Sequence, residues 1–159
     1  MPKSNFLVIP RHSTEQRRYI PIGFMGSENL VGDAVLLIPD ADLFQFGVLT
    51  SNIHMAWMRT VAGRIKGDYR YSAKVVYNNF PWPHFTADQQ VKIAETAQQI
   101  LDARALYPDS SYADLYDERT MPSELRKAHQ NNDRAVMRAY GMDVATTTES
   151  DSVAKLFTL

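Results

Sequence analysis

The segment from Arg59 to Ser72 carries the highest density of side chains that could do chemistry. It contains four cations, two tyrosines and a serine, arranged around Gly63 and Gly67. Cationic side chains neutralise phosphates and donate to guanine, hydroxyl groups bond phosphate oxygens, and glycines let a backbone approach a duplex closely. This pattern indicates a nucleic-acid contact. A solvated helix end, in which Arg and Lys complement the helix dipole, explains the same residues equally well.

A second segment, from Val76 to Pro83, places two asparagines among aromatic residues and prolines. It is superficially similar to the Asn-Pro-Pro-Tyr type of motif that holds an extruded adenine. The Asn-Pro step is missing, however, because Asn79 is followed by Phe80. We therefore interpret this segment as a structural joint in which aromatic rings and prolines fix two subregions together.

We identify no complete active site in the sequence. The seven glycines form no phosphate-binding loop, the four histidines lack metal-ligand spacing, and there is no cysteine. His54 is predicted to be a half-buried, hydrogen-bonded histidine. We therefore expect no catalysis, no metal and no cofactor in this chain itself. The clustered candidates for an unrecognised autonomous active site are Tyr77, Asn78, Asn79 and His84.

Composition and charge limit the class of protein. At 159 residues, with 45% hydrophobic and 22% charged residues, the chain suits a folded globular unit. No membrane span or leader is recognisable and cysteine is absent, so we expect a cytoplasmic protein without a membrane partner. The net charge of −1 conceals a division, because residues 1–85 hold nine basic and six acidic residues while residues 86–159 hold eight and twelve. Ordinary surface variation gives such a division too.

The pattern of elements changes at the joint, residues 80–85. Before it we predict short strands over 6–9, 19–22 and 34–38, one long helix over 41–62, and an extended segment over 69–80. Asp40 is predicted to cap the long helix and Gly63 to end it.

After the joint the signals are helical. A capping box at Thr86 begins a helix that stops before Pro108, a short turn follows at 112–116, a long helix runs from Pro122 to Gly141, and a last helix begins at Thr148. We therefore predict an α+β fold, with a small mixed β-sheet and one long helix followed by a C-terminal helical bundle. Residues 1–85 and 86–159 are the two predicted subregions.

Longer runs of sequence then point to a family. The run from Phe46 to Arg59, continuing through Asp68-Tyr-Arg-Tyr-Ser72 to Tyr77-Asn-Asn-Phe-Pro-Trp-Pro83, closely resembles the C-terminal part of MmeI-like enzymes. These are large single-chain bacterial restriction–modification proteins with adenine-N6 DNA methyltransferase activity. The steps Ile9-Pro-Arg11, Tyr19-Ile-Pro21, Ile38-Pro-Asp-Ala-Asp42, Tyr140-Gly-Met and Thr146-Thr-Thr-Glu149 fit the same pattern.

The resemblance implies that this chain directs a methyltransferase to its DNA sequence. It covers the target-recognition region (1–85) and the helical C-terminal region (86–159). The family's nuclease, its S-adenosylmethionine site and its Asn-Pro-Pro-Tyr motif would lie upstream. The implied partners are double-stranded DNA and the upstream methyltransferase domain of the same protein, and the implied cofactor, S-adenosylmethionine, belongs to that upstream domain.

The resemblance also implies which side chains read bases. The implied pairs are Arg11 with Asp33, Ala34 with Arg70, and Lys66 with Asp68. Arg or Lys donates to guanine O6 and N7 in the major groove, while Asp accepts from the N4 amine of cytosine. The pairs Arg11/Asp33 and Lys66/Asp68 are each predicted to read one G·C pair.

Other cations are better suited to phosphate contacts, which hold the register on DNA without reading sequence. These are Arg17, Arg18, Arg59, Arg64 and Lys74. The alternative function is a protein-interaction or subunit-contact module that does not bind DNA directly.

Overall fold

The computed structural model describes residues 6–13, 17–25, 35–65 and 68–159. The strands are β1 (Phe6–Pro10), β2 (His12–Ser13), β3 (Gly23–Met25), β4 (Val35–Pro39), β5 (Gly63–Ile65) and β6 (Asp68–Arg70). The helices are α1 (Leu43–Leu49), α2 (Asn52–Val61), α3 (Ala87–Ala105), α4 (Tyr112–Leu115), α5 (Ser123–Ala139) and α6 (Glu149–Leu156), with a π-helical turn over Ala73–Tyr77. The α+β class, with its helical C-terminal part, is confirmed.

The described strands form two three-stranded sheets, in the orders β3-β1-β4 and β2-β6-β5. In the first sheet Leu7 is the register partner of both Phe24 and Ile38, and it is fully buried. All four pairings between these strands are antiparallel, so the prediction of a mixed sheet is wrong. For β5 and β6 the connection explains this, because a parallel pair needs a crossover of about a dozen residues and only residues 66–67 join these two strands.

The predicted strand over residues 19–22 is wrong. These residues are buried, but the chain enters a strand only at Gly23. Pro21 has no amide hydrogen for a ladder, and the amide of Ile20 donates to the Met55 sulfur at 3.4 Å instead of to a strand. The segment is therefore held by packing on α2 and not by strand pairing.

The predicted long helix is two helices. The break lies at residues 50–51, where Thr50 is the C-terminal cap of α1 and Ser51 is the N-terminal cap of α2. The Ser51 hydroxyl accepts from the His54 amide. A serine that bonds the nearby backbone favours a cap over a helix interior. The cap of α1 is Asp42 and not Asp40, which has a φ of 58° and lies in the preceding turn. The C-terminal cap of α2 is Ala62, and Gly63 is the first residue of β5 instead of the end of α2.

The predicted extended segment over 69–80 is only partly extended. β6 ends at Arg70, and residues 73–77 form the π-helical turn. Ser72 caps this turn by accepting from the Val75 amide at 3.2 Å, and the Trp57 indole donates to the Val76 carbonyl oxygen at 3.1 Å. A serine cap and a contact with α2 therefore replace the strand pairing that the alternating pattern predicts.

The joint is confirmed as a packed aromatic segment. The ring of Phe80 packs against Trp82 and Tyr140, with centroids 5.5 and 6.2 Å apart. The Tyr140 hydroxyl donates to the Pro81 carbonyl oxygen at 3.0 Å. The side chain of Asn79 donates to the carbonyl oxygens of the π-helical turn, which is a structural use of the amide. The joint thus connects the strand-rich part of the chain to α5.

The predicted C-terminal helices are confirmed. Capping boxes at Thr86 and Thr148 begin α3 and α6, and a short helix occupies the predicted turn. Gly141 follows α5 with a φ of 75°, a conformation that costs glycine little. Among the described helices, none is both long and apolar enough to cross a membrane.

One hydrophobic core joins the two predicted subregions. α1 packs against α3 and α5, and α2 packs against α5 and α6. α1 and α3 approach each other closely at Gly47, where a Cβ would lie 2.6 Å from the Ile93 Cγ2 atom. The side chain of Asn132 donates to the Gly47 carbonyl oxygen at 2.8 Å. The C-terminal helices therefore support α1 and α2, the two helices that lead to the candidate site.

Candidate nucleic-acid interface

The candidate site is built on the sheet β2-β6-β5, which we call the recognition sheet. Only Ala62 separates the end of α2 from the start of β5, so this sheet follows directly from the end of the helix. β6 is the central strand, and Arg70 at its end is the register partner of both His12 and Gly63. The cation-rich segment of the sequence therefore folds as a helix end followed by a short hairpin.

The structure brings two of the predicted base-reading residues, Arg11 and Arg70, together. The amide of Tyr71 donates to the Arg11 carbonyl oxygen at 2.6 Å, immediately beyond the pairing of β2 with β6. Both arginine side chains are exposed. They lie at the same end of the recognition sheet, where a duplex could approach both.

The three implied residue pairs are not all described. Asp33, Ala34 and Lys66 lie outside the described residues, and Asp68 is described only by its backbone in β6. The pairings Arg11/Asp33, Ala34/Arg70 and Lys66/Asp68 therefore stay predictions. Positions 68 and 70 are two residues apart on one strand, a spacing that places them on the same face of a sheet.

A buried hydrogen bond fixes the end of β6 to α2. The Tyr71 hydroxyl lies 2.6 Å from His54 Nε2, and both side chains are almost wholly inaccessible to solvent. Burial lowers the pKa of His54 to about 3 and raises the pKa of Tyr71, so both groups are uncharged near neutral pH. The prediction that His54 is hydrogen-bonded is confirmed, although the ring is fully buried and not half-buried.

Three of the predicted phosphate-contacting arginines line a cleft of about 590 Å³, which we call the arginine cleft. Its lining includes Arg17, Arg18, Arg59, Glu118 and Glu149. Arg59 Nη1 donates to Glu149 Oε1 at 2.5 Å, and Nη2 donates to the Arg18 carbonyl oxygen at 2.7 Å. A phosphate contact by Arg59 would therefore compete with two partners inside the chain.

The arginine cleft and the recognition sheet lie on different sides of α2. Asn52, Ala56 and Arg59 line the cleft, and their spacing puts them on one face of the helix. His54, which bonds Tyr71 beside the recognition sheet, lies roughly 200° around the helix from Asn52. The predicted phosphate contacts at the cleft are thus separated from Arg11 and Arg70.

The two other predicted phosphate contacts lie nearer the recognition sheet. Lys74 is exposed in the π-helical turn that follows β6. Arg64 is described only by its backbone in β5, where it is the register partner of Tyr69. These two positions, like Arg17 and Arg18, stay predicted phosphate contacts.

The sequence analysis missed a buried carboxylate, Asp133. The Tyr19 hydroxyl donates to Asp133 Oδ2 at 2.5 Å, and the Asn52 amide donates to Oδ1 at 2.9 Å. Burial raises the pKa of Asp133 to about 6, although these hydrogen bonds act in the opposite direction. Asp133 therefore joins α5 to the start of α2 and to the segment that carries Arg17 and Arg18.

The sequence contains a pattern from which the buried position of Asp133 could have been predicted. Positions 125, 129, 133 and 136 follow the spacing of one buried helix face, and two of them hold His129 and Asp133. A polar residue within such a stripe indicates a buried hydrogen-bonded group. His129 meets this expectation, since its Nε2 atom lies 2.7 Å from the Tyr116 hydroxyl.

Comparisons with known proteins agree with this geometry. Residues 1–84 match the family model described as MmeI, target recognition domain, and residues 86–159 match MmeI, C-terminal domain. DNA methyltransferase A of Bacillus subtilis (strain 168) is 42% identical over 134 residues, which are 84% of this chain and 15% of that protein.

A solved structure, of the type IIL restriction–modification enzyme MmeI in complex with DNA, is 46% identical. It covers 99% of this chain with a TM-score of 0.93, and the match is 21% of that enzyme's chain. The chain thus spans 15% and 21% of the lengths of these two relatives. The resemblance inferred from the sequence is confirmed, and the chain belongs to the MmeI family, whose target recognition domain and C-terminal domain it matches.

Proposed function

We propose that this chain recognises a DNA sequence and positions a methyltransferase domain of the same protein on it. The observation that carries the proposal is the 46% identity, over 99% of the chain, to an enzyme solved in complex with DNA. At this identity, and with a TM-score of 0.93, the two chains share the fold over almost the whole of this chain. The position of Arg11 and Arg70 at one exposed end of a short sheet supports the same conclusion.

The recognition chemistry follows from the guanidinium group. Its parallel N–H groups match guanine O6 and N7 in the major groove, and a short strand pair can enter that groove. We propose Arg11, Asp33, Ala34, Lys66, Asp68 and Arg70 as the base-reading residues. Phosphate contacts that hold the register come from Arg17, Arg18, Arg64 and Lys74. Arg59 can join them when it releases Glu149 and the Arg18 carbonyl oxygen.

The protein that contains this chain is, on this proposal, a bacterial restriction–modification enzyme with adenine-N6 DNA methyltransferase activity. The name of the Bacillus subtilis relative supports the methyltransferase activity. S-adenosylmethionine would bind in the upstream domain, and this chain would supply specificity without catalysis. We propose a cytoplasmic location because bacterial DNA lies there.

The test is an Arg70→Ala substitution in the intact protein. Affinity is measured for the cognate duplex and for duplexes in which each base pair of the site is changed in turn. Loss of a base contact should cost about 1–3 kcal/mol on the cognate site and relax the preference at one base pair only. Arg138→Ala, which removes an exposed arginine from α5, is the matched control and should leave every ratio unchanged.

Two results would overturn the proposal. Unchanged base preference in the Arg70→Ala protein would remove Arg70 from the base-reading set. Failure of the intact protein to bind any duplex in a salt-dependent way would favour the protein-interaction module instead, because phosphate contacts make DNA binding sensitive to salt.

A further inference from the structure

The described residues include two buried tyrosine–histidine pairs, of which the second also contains a cation, because Arg104 Nε and Nη2 donate to the Tyr116 hydroxyl at 2.8 and 2.5 Å. The Tyr71 hydroxyl lies 2.6 Å from His54 Nε2, and the Tyr116 hydroxyl lies 2.7 Å from His129 Nε2. Each tyrosine is 1% exposed and each histidine is 0% exposed. The pairs differ in location, since one adjoins the recognition sheet and the other lies between α4 and α5.

Tyr71 is connected to both described base-reading arginines through the backbone. It follows Arg70 directly, and its amide donates to the Arg11 carbonyl oxygen at 2.6 Å. The side chain points the other way, into the core, where its hydroxyl meets His54. One residue therefore links the end of β6, the residue before β2 and the buried face of α2.

Among the described side chains of the recognition sheet and the residue after it, those of Tyr69 and Tyr71 pack on the hydrophobic core. The strands themselves are two and three residues long, so few backbone hydrogen bonds hold the sheet together. The His54 ring is fully buried and packs against the Phe80 ring at an interplanar angle of 86°, with centroids 4.4 Å apart. The hydrogen bond between Tyr71 and His54 therefore attaches the end of the recognition sheet to the packed core.

We propose that Tyr71 is a positioning residue for base recognition, whose hydroxyl bond to His54 holds Arg70 and Arg11 in the geometry that discriminates bases. The inference rests on the proposed function. Bidentate contacts with a base tolerate displacements of only about 0.5 Å, so a recognition sheet that loses this bond loses selectivity before it loses all affinity. Phosphate contacts tolerate the same displacement because they do not depend on base edges.

The test compares Tyr71→Phe with Tyr116→Phe in the intact protein. Each variant removes one buried hydroxyl that bonds a histidine, so a loss of stability is expected in both. The loss should be larger in Tyr116→Phe, because that hydroxyl also accepts from the buried Arg104. The measured quantity is the ratio of affinities for the cognate duplex and for duplexes changed at the base pairs that Arg11→Ala and Arg70→Ala identify. Tyr71→Phe should lower this ratio by up to about tenfold, the limit that is reached if the whole free energy of one buried hydrogen bond is lost from base discrimination. Tyr116→Phe should leave it within about twofold, on the same scale.

Substitutions of His54, the hydrogen-bond partner of Tyr71, test the same bond from its other side. His54→Gln keeps an amide group that can bond the Tyr71 hydroxyl, so it should retain most of the discrimination. His54→Leu removes the bond and should reproduce the loss seen with Tyr71→Phe, and it provides the same measurement if Tyr71→Phe does not fold.

Discrimination in the Tyr71→Phe protein that equals that of the original protein, or that falls no further than in the Tyr116→Phe protein, would overturn the inference and leave the bond a purely structural one. The proposed function fails separately, through the intact protein showing no salt-dependent binding to any duplex. Full discrimination in the His54→Leu protein would likewise overturn the positioning role.

Discussion

Lowering the pH from 7 to 5 should destabilise the fold through its buried histidines. Burial lowers the pKa of His54 from 6.5 to about 3, and it lowers the pKa of His129 well below its ordinary value. The unfolded chain takes up protons at these side chains near pH 6.5, whereas the folded chain does not. The stability due to their neutral state is therefore present above pH 6.5 and is lost as the pH falls toward the folded pKa.

The magnitude follows from the pKa values. For His54, the linkage relation gives a loss of about 2 kcal/mol in the free energy of unfolding between pH 7 and pH 5. Asp133 acts in the opposite direction, because burial raises its pKa from 3.8 to about 6 and the folded chain binds its proton first. Its contribution is present below pH 3.8 and lost as the pH rises through 6, so acidification from 7 to 5 restores about 1 kcal/mol.

The assay is urea unfolding at pH 7 and pH 5, followed by the fluorescence of the buried Trp57. His54→Gln should reduce the acid loss by about 2 kcal/mol, because glutamine does not titrate. Asp133→Asn should increase the loss by about 1 kcal/mol, since the compensating carboxyl is gone. An identical acid loss in the original chain and in His54→Gln would refute the reasoning.

Two further predictions concern packing and DNA binding. Gly47→Ala should lower the free energy of unfolding by about 1–3 kcal/mol, because the new Cβ would lie 2.6 Å from the Ile93 side chain between α1 and α3; a thermal unfolding midpoint equal to the original would contradict this. Arg17→Ala in the intact protein should weaken binding to all duplexes equally and reduce the slope of log affinity against log salt by about 1. A change confined to one base pair would instead make Arg17 a base-reading residue, and Arg134→Ala, an exposed arginine on α5, is the control.

Features encoded by neighbouring residues could be predicted from the sequence. The capping boxes at Thr86 and Thr148 and the glycine at 141 locate helix ends because their hydrogen bonds and dihedral angles are local. The division at Ser51 was missed for a related reason. Both α1 and α2 bury residues on either side of it, so the apolar spacing continues across the break although the backbone hydrogen bonds do not.

The candidate site was predicted as a segment but not as an arrangement. The cation-rich run around Gly63 and Gly67 was identified by residue types alone. The structure confirms that a helix ends there and shows a hairpin that the sequence analysis did not predict. Its relation to Arg11 depends on the pairing of β2 with β6, and no local pattern encodes a pairing between residues 12 and 70. The separation of the arginine cleft from the recognition sheet likewise appears only when α2 is in place.

The sequence by itself determined the family, the α+β class and the ends of most C-terminal helices, because each of these depends on residues close together in the chain. Only the tertiary structure decided which buried polar groups meet. His54 bonds Tyr71 across 17 residues, and Tyr19 bonds Asp133 across 114. Such contacts form only when distant elements pack against a common core, since burial makes an unpaired polar group costly and so selects the partner that the fold brings near.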